Sequence, residues 1–123
     1  MNTLDLLLKT DLNSVQECEV KINRLSKQAG EDVIFTLRPI NLDRLEELRE
    51  SNGKGSDFSV MVVLESVKSP NLKSPELKEK LKAATPAETV KKLMLAGEIE
   101  DLYLKACQIS GFGRETIEEI KKK

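Results

Sequence analysis

The rhythm of apolar residues changes into alternation and back along this chain, and the alternating stretch constrains the fold more than anything else in it. Between Val15 and Leu25, Cys18, Val20 and Ile22 alternate with Glu17, Glu19 and Lys21. Alternation at every second position is the mark of a strand with one wet face. A polar stretch, Ser26 to Asp32, follows, with Gly30 supplying backbone freedom. Val33, Phe35 and Leu37 then alternate with Ile34, Thr36 and Arg38 until Pro39 stops the ladder. Two strands joined by a turn predict an antiparallel hairpin over about 15–40, and a lone hairpin needs helices to cover it.

Beyond Pro39 the spacing becomes helical. Asn41 is placed to cap a helix with a Leu42, Leu45, Leu48 stripe. Gly53 and Gly55 mark a loop between Ser51 and Ser56. Phe58 to Val67 is ambiguous: its valines favour a strand, while Asp57 and the Phe58, Met61, Leu64 spacing favour a helix, and a buried helix is the reading adopted. Ser74-Pro75 and Thr85-Pro86 each set a capping hydroxyl before a proline at the first helical position, and Thr85 with Glu88 forms a capping box. From Gly97 onward Ile99, Leu102, Tyr103, Ala106 and Ile109 make one apolar face. Gly111 fits the left-handed position that ends a helix, with Phe112 folding back. A last helix is predicted with Ile117 and Ile120 as its apolar face, Glu115 near its start and three lysines at its end, an order that suits the helix dipole. At the other end Leu4, Leu7 and Leu8 predict a short docking helix with Thr3 as its cap.

The expected fold class is therefore α+β, mostly α: an N-terminal antiparallel β-hairpin followed by five to six short helices, in one domain over 1–123 with a helical part over about 41–123. A chain of 123 residues suits one core. Aromatic residues are 3% of the chain, so Leu, Ile and Val must fill that core.

Composition bears on function chiefly by what it lacks. Histidine is absent, which removes the commonest general base and metal ligand together. Cys18 and Cys107 stand far apart, with no neighbour at metal or redox spacing, and are read as reduced cytoplasmic thiols. The acidic clusters Glu46-Glu47, Glu98 with Glu100-Asp101, and Glu118-Glu119 lie on polar sides of expected helices and read as solvated faces. No phosphate loop, nucleophile elbow or metal motif is present. The expectation is a protein that is not an enzyme and takes no cofactor or metal. A net charge of −1 gives no bulk attraction to nucleic acid or anionic membrane. No apolar run reaches the roughly 20 residues of a membrane span, and Leu4 to Leu8 is no signal peptide, so the protein is expected in the cytoplasm.

Ile109-Ser110-Gly111-Phe112-Gly113, followed by Arg114, Ile117 and Ile120, resembles the turn of helix-hairpin-helix DNA-binding modules, whose backbone amides meet a phosphate beside a cation. Against a small DNA-binding module at 109–120 stand Glu115, Glu118 and Glu119 around the supposed phosphate site, and Ile117 where a small residue is usual. A helix-ending glycine turn that packs Phe112 is the plainer reading.

A wider resemblance covers almost the whole chain. Ala84-Thr85-Pro86-Ala87-Glu88, Val90-Lys91-Lys92-Leu93, Gly97-Glu98-Ile99 with Leu102-Tyr103, and Ile109-Ser110-Gly111-Phe112-Gly113 together resemble the XkdN-like phage tail assembly chaperones of contractile tails. The leucine-rich opening, Val20-Lys21-Ile22 with Arg24-Leu25, and Val33 to Arg38 agree. Ala96, where a proline is expected, and Lys82-Ala83, where a Phe-Gly pair is common, are departures at helix junctions. The resemblance implies a protein of the bacterial host cytoplasm that binds the tape measure protein, keeps it soluble, helps recruit tail tube subunits, self-associates, and is absent from the mature tail. A structural tail component is the alternative within that setting. Partner binding is expected through apolar helix faces: Ile99, Leu102, Tyr103, Phe112, Ile117 and Ile120. Lys121-Lys122-Lys123 further suggest an A-rich slippery run from which a longer, frameshifted form could arise.

Overall fold

A computed structural model describes residues 2–52, 56–113 and 116–120. Among them are seven helices and one three-stranded sheet: α1 (Thr3–Lys9), β1 (Cys18–Lys21), α2 (Asn23–Ala29), β2 (Ile34–Leu37), α3 (Leu42–Asn52), α4 (Ser56–Ser66), β3 (Val67–Ser69), α5 (Pro75–Leu81), α6 (Pro86–Leu93) and α7 (Ala96–Ile109). The class is α+β, mostly α, with the antiparallel hairpin near the N-terminus.

The hairpin pairs Val20 with Phe35 and Cys18 with Leu37, so the alternation puts Phe35 and Leu37 inside and leaves Glu19 and Lys21 in water. The link between its strands differs from the expected turn: Asn23–Ala29 form α2, and the first strand ends at Lys21 rather than Leu25. Ile22, Leu25 and Ser26 stand at i, i+3 and i+4, a helical stripe that turns inward and overrides the short alternation. Ser26 is buried, and its hydroxyl accepts from the Val33 amide at 2.8 Å. Gly30, at φ 81°, closes α2 in the left-handed region, its amide donating to Ser26 O at 3.0 Å.

A third strand, β3, was not expected; it pairs antiparallel with β2 through Leu37–Val67 and Thr36–Ser69, with a bulge between. It follows α4 without a break. Ser66, fully buried, holds that junction: the Arg38 amide donates to Ser66 O and the Ser66 hydroxyl to Arg38 O, both at 2.8 Å.

α4 is the central helix, with α3, α6 and α7 packed around it. Val60, Val63 and Leu64 join Phe35, Leu37, Val90, Met94 and Leu102 in one cluster, while Val62 turns to Leu45, Leu48 and Ala106 in another. A helix buried on both sides is apolar nearly all round. That is why its period was ambiguous in sequence, and why the helical reading of Phe58 onward is right as far as Ser66.

The caps read from sequence are in place. Asn41 Oδ1 accepts from the Arg44 amide at 2.9 Å, Ser74 Oγ from Leu77 at 3.4 Å and Thr85 Oγ1 from Glu88 at 3.1 Å. The return bond of the Thr85 box reaches one residue further back: the Ala84 amide donates to Glu88 Oε2 at 3.1 Å. At α1 the cap is Asn2, not Thr3; its Oδ1 accepts from the Asp5 amide at 2.8 Å. The last helix expected around Ile117 and Ile120 is not formed in the residues described there, 116–120, which have no regular secondary structure. Short helices in water depend on packing an apolar face, and Ile117 and Ile120 are each 86% exposed.

Candidate partner-binding surface

The six residues proposed for partner contact fall into two groups. On α7, Leu102 is only 4% exposed and lies in the main core with Val90 and Met94. Little of it is left for a partner beyond the edge that shows in the floor of a cleft: the apolar stripe of α7 faces α4, so its most regular positions fill the interior. Ile99 and Tyr103 are half-buried against the same core. Tyr103 stands edge-on to Phe58, ring centroids 6.1 Å apart at 72°, and burial, then the neighbouring Cys107, raises its hydroxyl above the ordinary value. Phe112, Ile117 and Ile120 are exposed.

The larger apolar surface lies at the other end of the chain. Every residue from Asn2 to Glu17 is exposed, and that stretch holds Leu4, Leu6, Leu7, Leu8, Leu12 and Val15. The hydrogen bonds of residues 2–13 are local, each within four positions. The arm is fastened only at its root, where Lys68 Nζ meets Glu17 Oε2 at 2.6 Å. Gln16 and Glu17 also border Lys105 and Gln108 of α7. The expectation of a docking helix picked out Leu4, Leu7 and Leu8; Leu6, Leu12 and Val15 were missed. The available signal was a leucine stripe followed by eight residues, Thr10 to Glu17, with no apolar period to seat them.

A cleft of about 540 Å³ runs between β1 and α7, with Val20, Ile22 and Leu102 in its floor and Asp101 and Lys105 on its rim. Arg24 and Glu98 close one end. Arg24 Nε donates to Glu98 Oε2 at 3.0 Å and NH2 to Oε1 at 2.8 Å, while NH2 also reaches Leu93 O at 2.9 Å. Glu98 in turn accepts from the Leu95 amide at 2.7 Å, so one carboxylate caps α7 and receives α2. The Arg24 hydrogen bonds hold the Glu98 carboxyl below its usual range, with burial opposing them, and Glu98 raises Arg24 in return.

The glycine turn at the end of α7 caps a helix, and two of its amides are engaged in that cap. The Phe112 amide donates to Cys107 O at 3.0 Å and the Gly111 amide to Gln108 O at 3.1 Å, the paired bonds of a Schellman motif, with Gly111 at φ 103°. Those are the donors a DNA-binding hairpin would aim at a phosphate. The Ser110 hydroxyl accepts from the Ile40 amide at 2.9 Å and donates to Ala106 O at 2.7 Å, tying the end of α7 to the start of the α3 region. Arg114, Glu115 and Lys121 to Lys123 lie outside the described residues.

Among the described residues no cluster of three or more His, Cys, Asp or Glu is arranged to hold a metal, and no helix is long and apolar enough to cross a membrane.

The chain is 27% identical to the phage-like element PBSX protein XkdN of Bacillus subtilis (strain 168), over 98% of this chain and 93% of that protein. It is 30% identical to the protein YqbN of the same strain, over 87% of this chain and 84% of YqbN. The crystal structure of YqbN has the same fold, with a TM-score of 0.72 at 27% identity, covering 91% of this chain and 97% of that one. Residues 4–121 match the family described as phage XkdN-like tail assembly chaperone protein, TAC, and to that family this chain belongs.

Proposed function

We propose that this protein binds the tape measure protein of a phage tail, keeps it soluble before assembly, and helps bring tail tube subunits to it. It acts in the host cytoplasm by contact alone, performs no catalysis, and leaves before the tail is complete. The observation that carries the reading is the leucine-rich arm, residues 2–17, wholly exposed on a chain of the tail assembly chaperone family. A tape measure is long and largely helical, and unassembled it exposes apolar stripes prone to aggregate. Short amphipathic helices lying in apolar grooves are a standard way to cover such stripes, and self-association repeats the cover along a long client.

The test is co-expression with the tape measure gene encoded nearby, reading the soluble fraction of that partner. The wild-type chain is expected to raise it severalfold, and a Leu4→Asp, Leu7→Asp, Leu8→Asp variant to abolish the gain while remaining folded. An insoluble tape measure in both cases refutes the proposal. Mass spectrometry of purified tails checks departure; recovery of the chain there in stoichiometric amount makes it a structural component instead.

A further inference from the structure

The geometry points to a specific contact between copies: α1 of one copy lies antiparallel to α7 in the cleft between β1 and α7 of a second. This deepens the self-association in the function proposed above by naming its surfaces, and it does not depend on the identity of the client.

Two surfaces of one molecule are each incomplete. α1 has seven residues, none buried, with Leu4, Leu7 and Leu8 at helical spacing. A helix of that length is marginal in water unless its apolar face is covered. The cleft has an apolar floor of Val20, Ile22 and Leu102, with Asp101 and Lys105 along its α7 side and Lys21, paired with Asp32, on its β1 side.

Charge selects the occupant and its direction. α1 carries Asp5 and Lys9, and the rim of α7 carries Asp101 and Lys105. Each is an acid followed by a base four positions later, so each pair occupies one face of its helix at the same separation. None of the four forms an ion pair among the described residues. Laid parallel, the helices would oppose acid to acid and base to base. Laid antiparallel, they set Asp5 against Lys105 and Lys9 against Asp101 while the leucines face the floor.

The exposure of the arm argues for a second copy over the same one. Its root, Gln16 and Glu17, passes beside Lys105 and Gln108 of α7, yet residues 2–17 are all exposed, so α1 does not occupy the cleft of its own copy. Each copy then offers one helix and one cleft, so the contact closes as a reciprocal pair or continues as a chain of subunits.

Sedimentation equilibrium of the full chain tests this. Wild-type protein is expected to associate. Deletion of residues 2–10 is expected to give a monomer that stays folded, since it removes nothing from the core, with a thermal midpoint that no longer rises with protein concentration. Asp5→Lys and Lys105→Asp should each weaken association about tenfold or more. Mixing these two variants should restore it, because each then offers what the other requires. A wild-type monomer, association that survives loss of residues 2–10, or a mixture no tighter than its components overturns the proposal. So does a monomer whose residues 2–10 are protected from hydrogen exchange, which would seat α1 in its own cleft. Solubilisation of the tape measure by a monomeric chain would overturn this contact and leave the chaperone function standing.

Discussion

Arg24 holds Glu98 by both carboxylate oxygens, at 3.0 and 2.8 Å, across 74 positions of sequence. The pair joins the helix inside the hairpin to the first turn of α7. A planar guanidinium matches a carboxylate in this way, and an ammonium does not. Arg24→Ala is therefore expected to lower the thermal midpoint and loosen the Leu95 cap, and Arg24→Lys to recover only part of the loss. Thermal melts of the three proteins in one buffer check this.

The same pair sets a pH dependence. Glu98 is held below its ordinary pKa in the folded protein, so it favours folding only while ionised. The stability difference between wild type and Glu98→Gln should be fully present above the unfolded carboxylate value of about 4.3. It should shrink as pH falls below that value and through the lower folded one. Urea denaturation of both proteins across pH 3 to 7 measures it; a difference that grows toward acid would contradict the assignment.

Leucines in the core and in the arm should behave oppositely. Leu37 is fully buried in the central strand, and Leu37→Ala is expected to cost about 2–5 kcal/mol in urea unfolding. Leu8 is 74% exposed, and Leu8→Ala should stay within about 0.5 kcal/mol.

The ends of α7 and α5 place residues in the left-handed region with contrasting fit. Gly111 stands at φ 103°, where any side chain is strained although the space beside it is open enough. Gly111→Ala should cost about 1–2 kcal/mol. Lys82 ends α5 at φ 55° with a side chain that dislikes it, so Lys82→Gly should stabilise by about 1 kcal/mol. Denaturant midpoints for both variants give the signs directly.

DNA should not bind. The Gly111 and Phe112 amides already serve the end of α7, and the net charge of −1 gives no bulk attraction to a phosphate backbone. Fluorescence anisotropy of a labelled duplex at low salt should stay flat; a rise that falls again with salt would reopen the DNA-binding reading.

What could be read in advance was what local chemistry decides. Asn41, Ser74 and Thr85 cap helices through their own neighbours, Gly111 ends one, and the Phe35–Leu37 alternation needs only a wet face and a dry one. What escaped depended on distant partners. Asn23–Ala29 coil because Ile22, Leu25 and Ser26 find the core, and Val67–Ser69 pair only because β2 lies beside them. Leu102 shows the limit at the surface: the stripe on α7 was legible, but its cover, α4, was not. Asp101 and Lys105 had no signal as a pair until β1 placed an apolar floor next to them.

Val62 and Val63 are neighbours in sequence that face different clusters, one toward α3 and one toward the sheet. α4 therefore has no free azimuth, since a turn about its axis would withdraw one valine from each compartment at once. The halves of the body are keyed to a single shaft, so loosening one is expected to loosen the other.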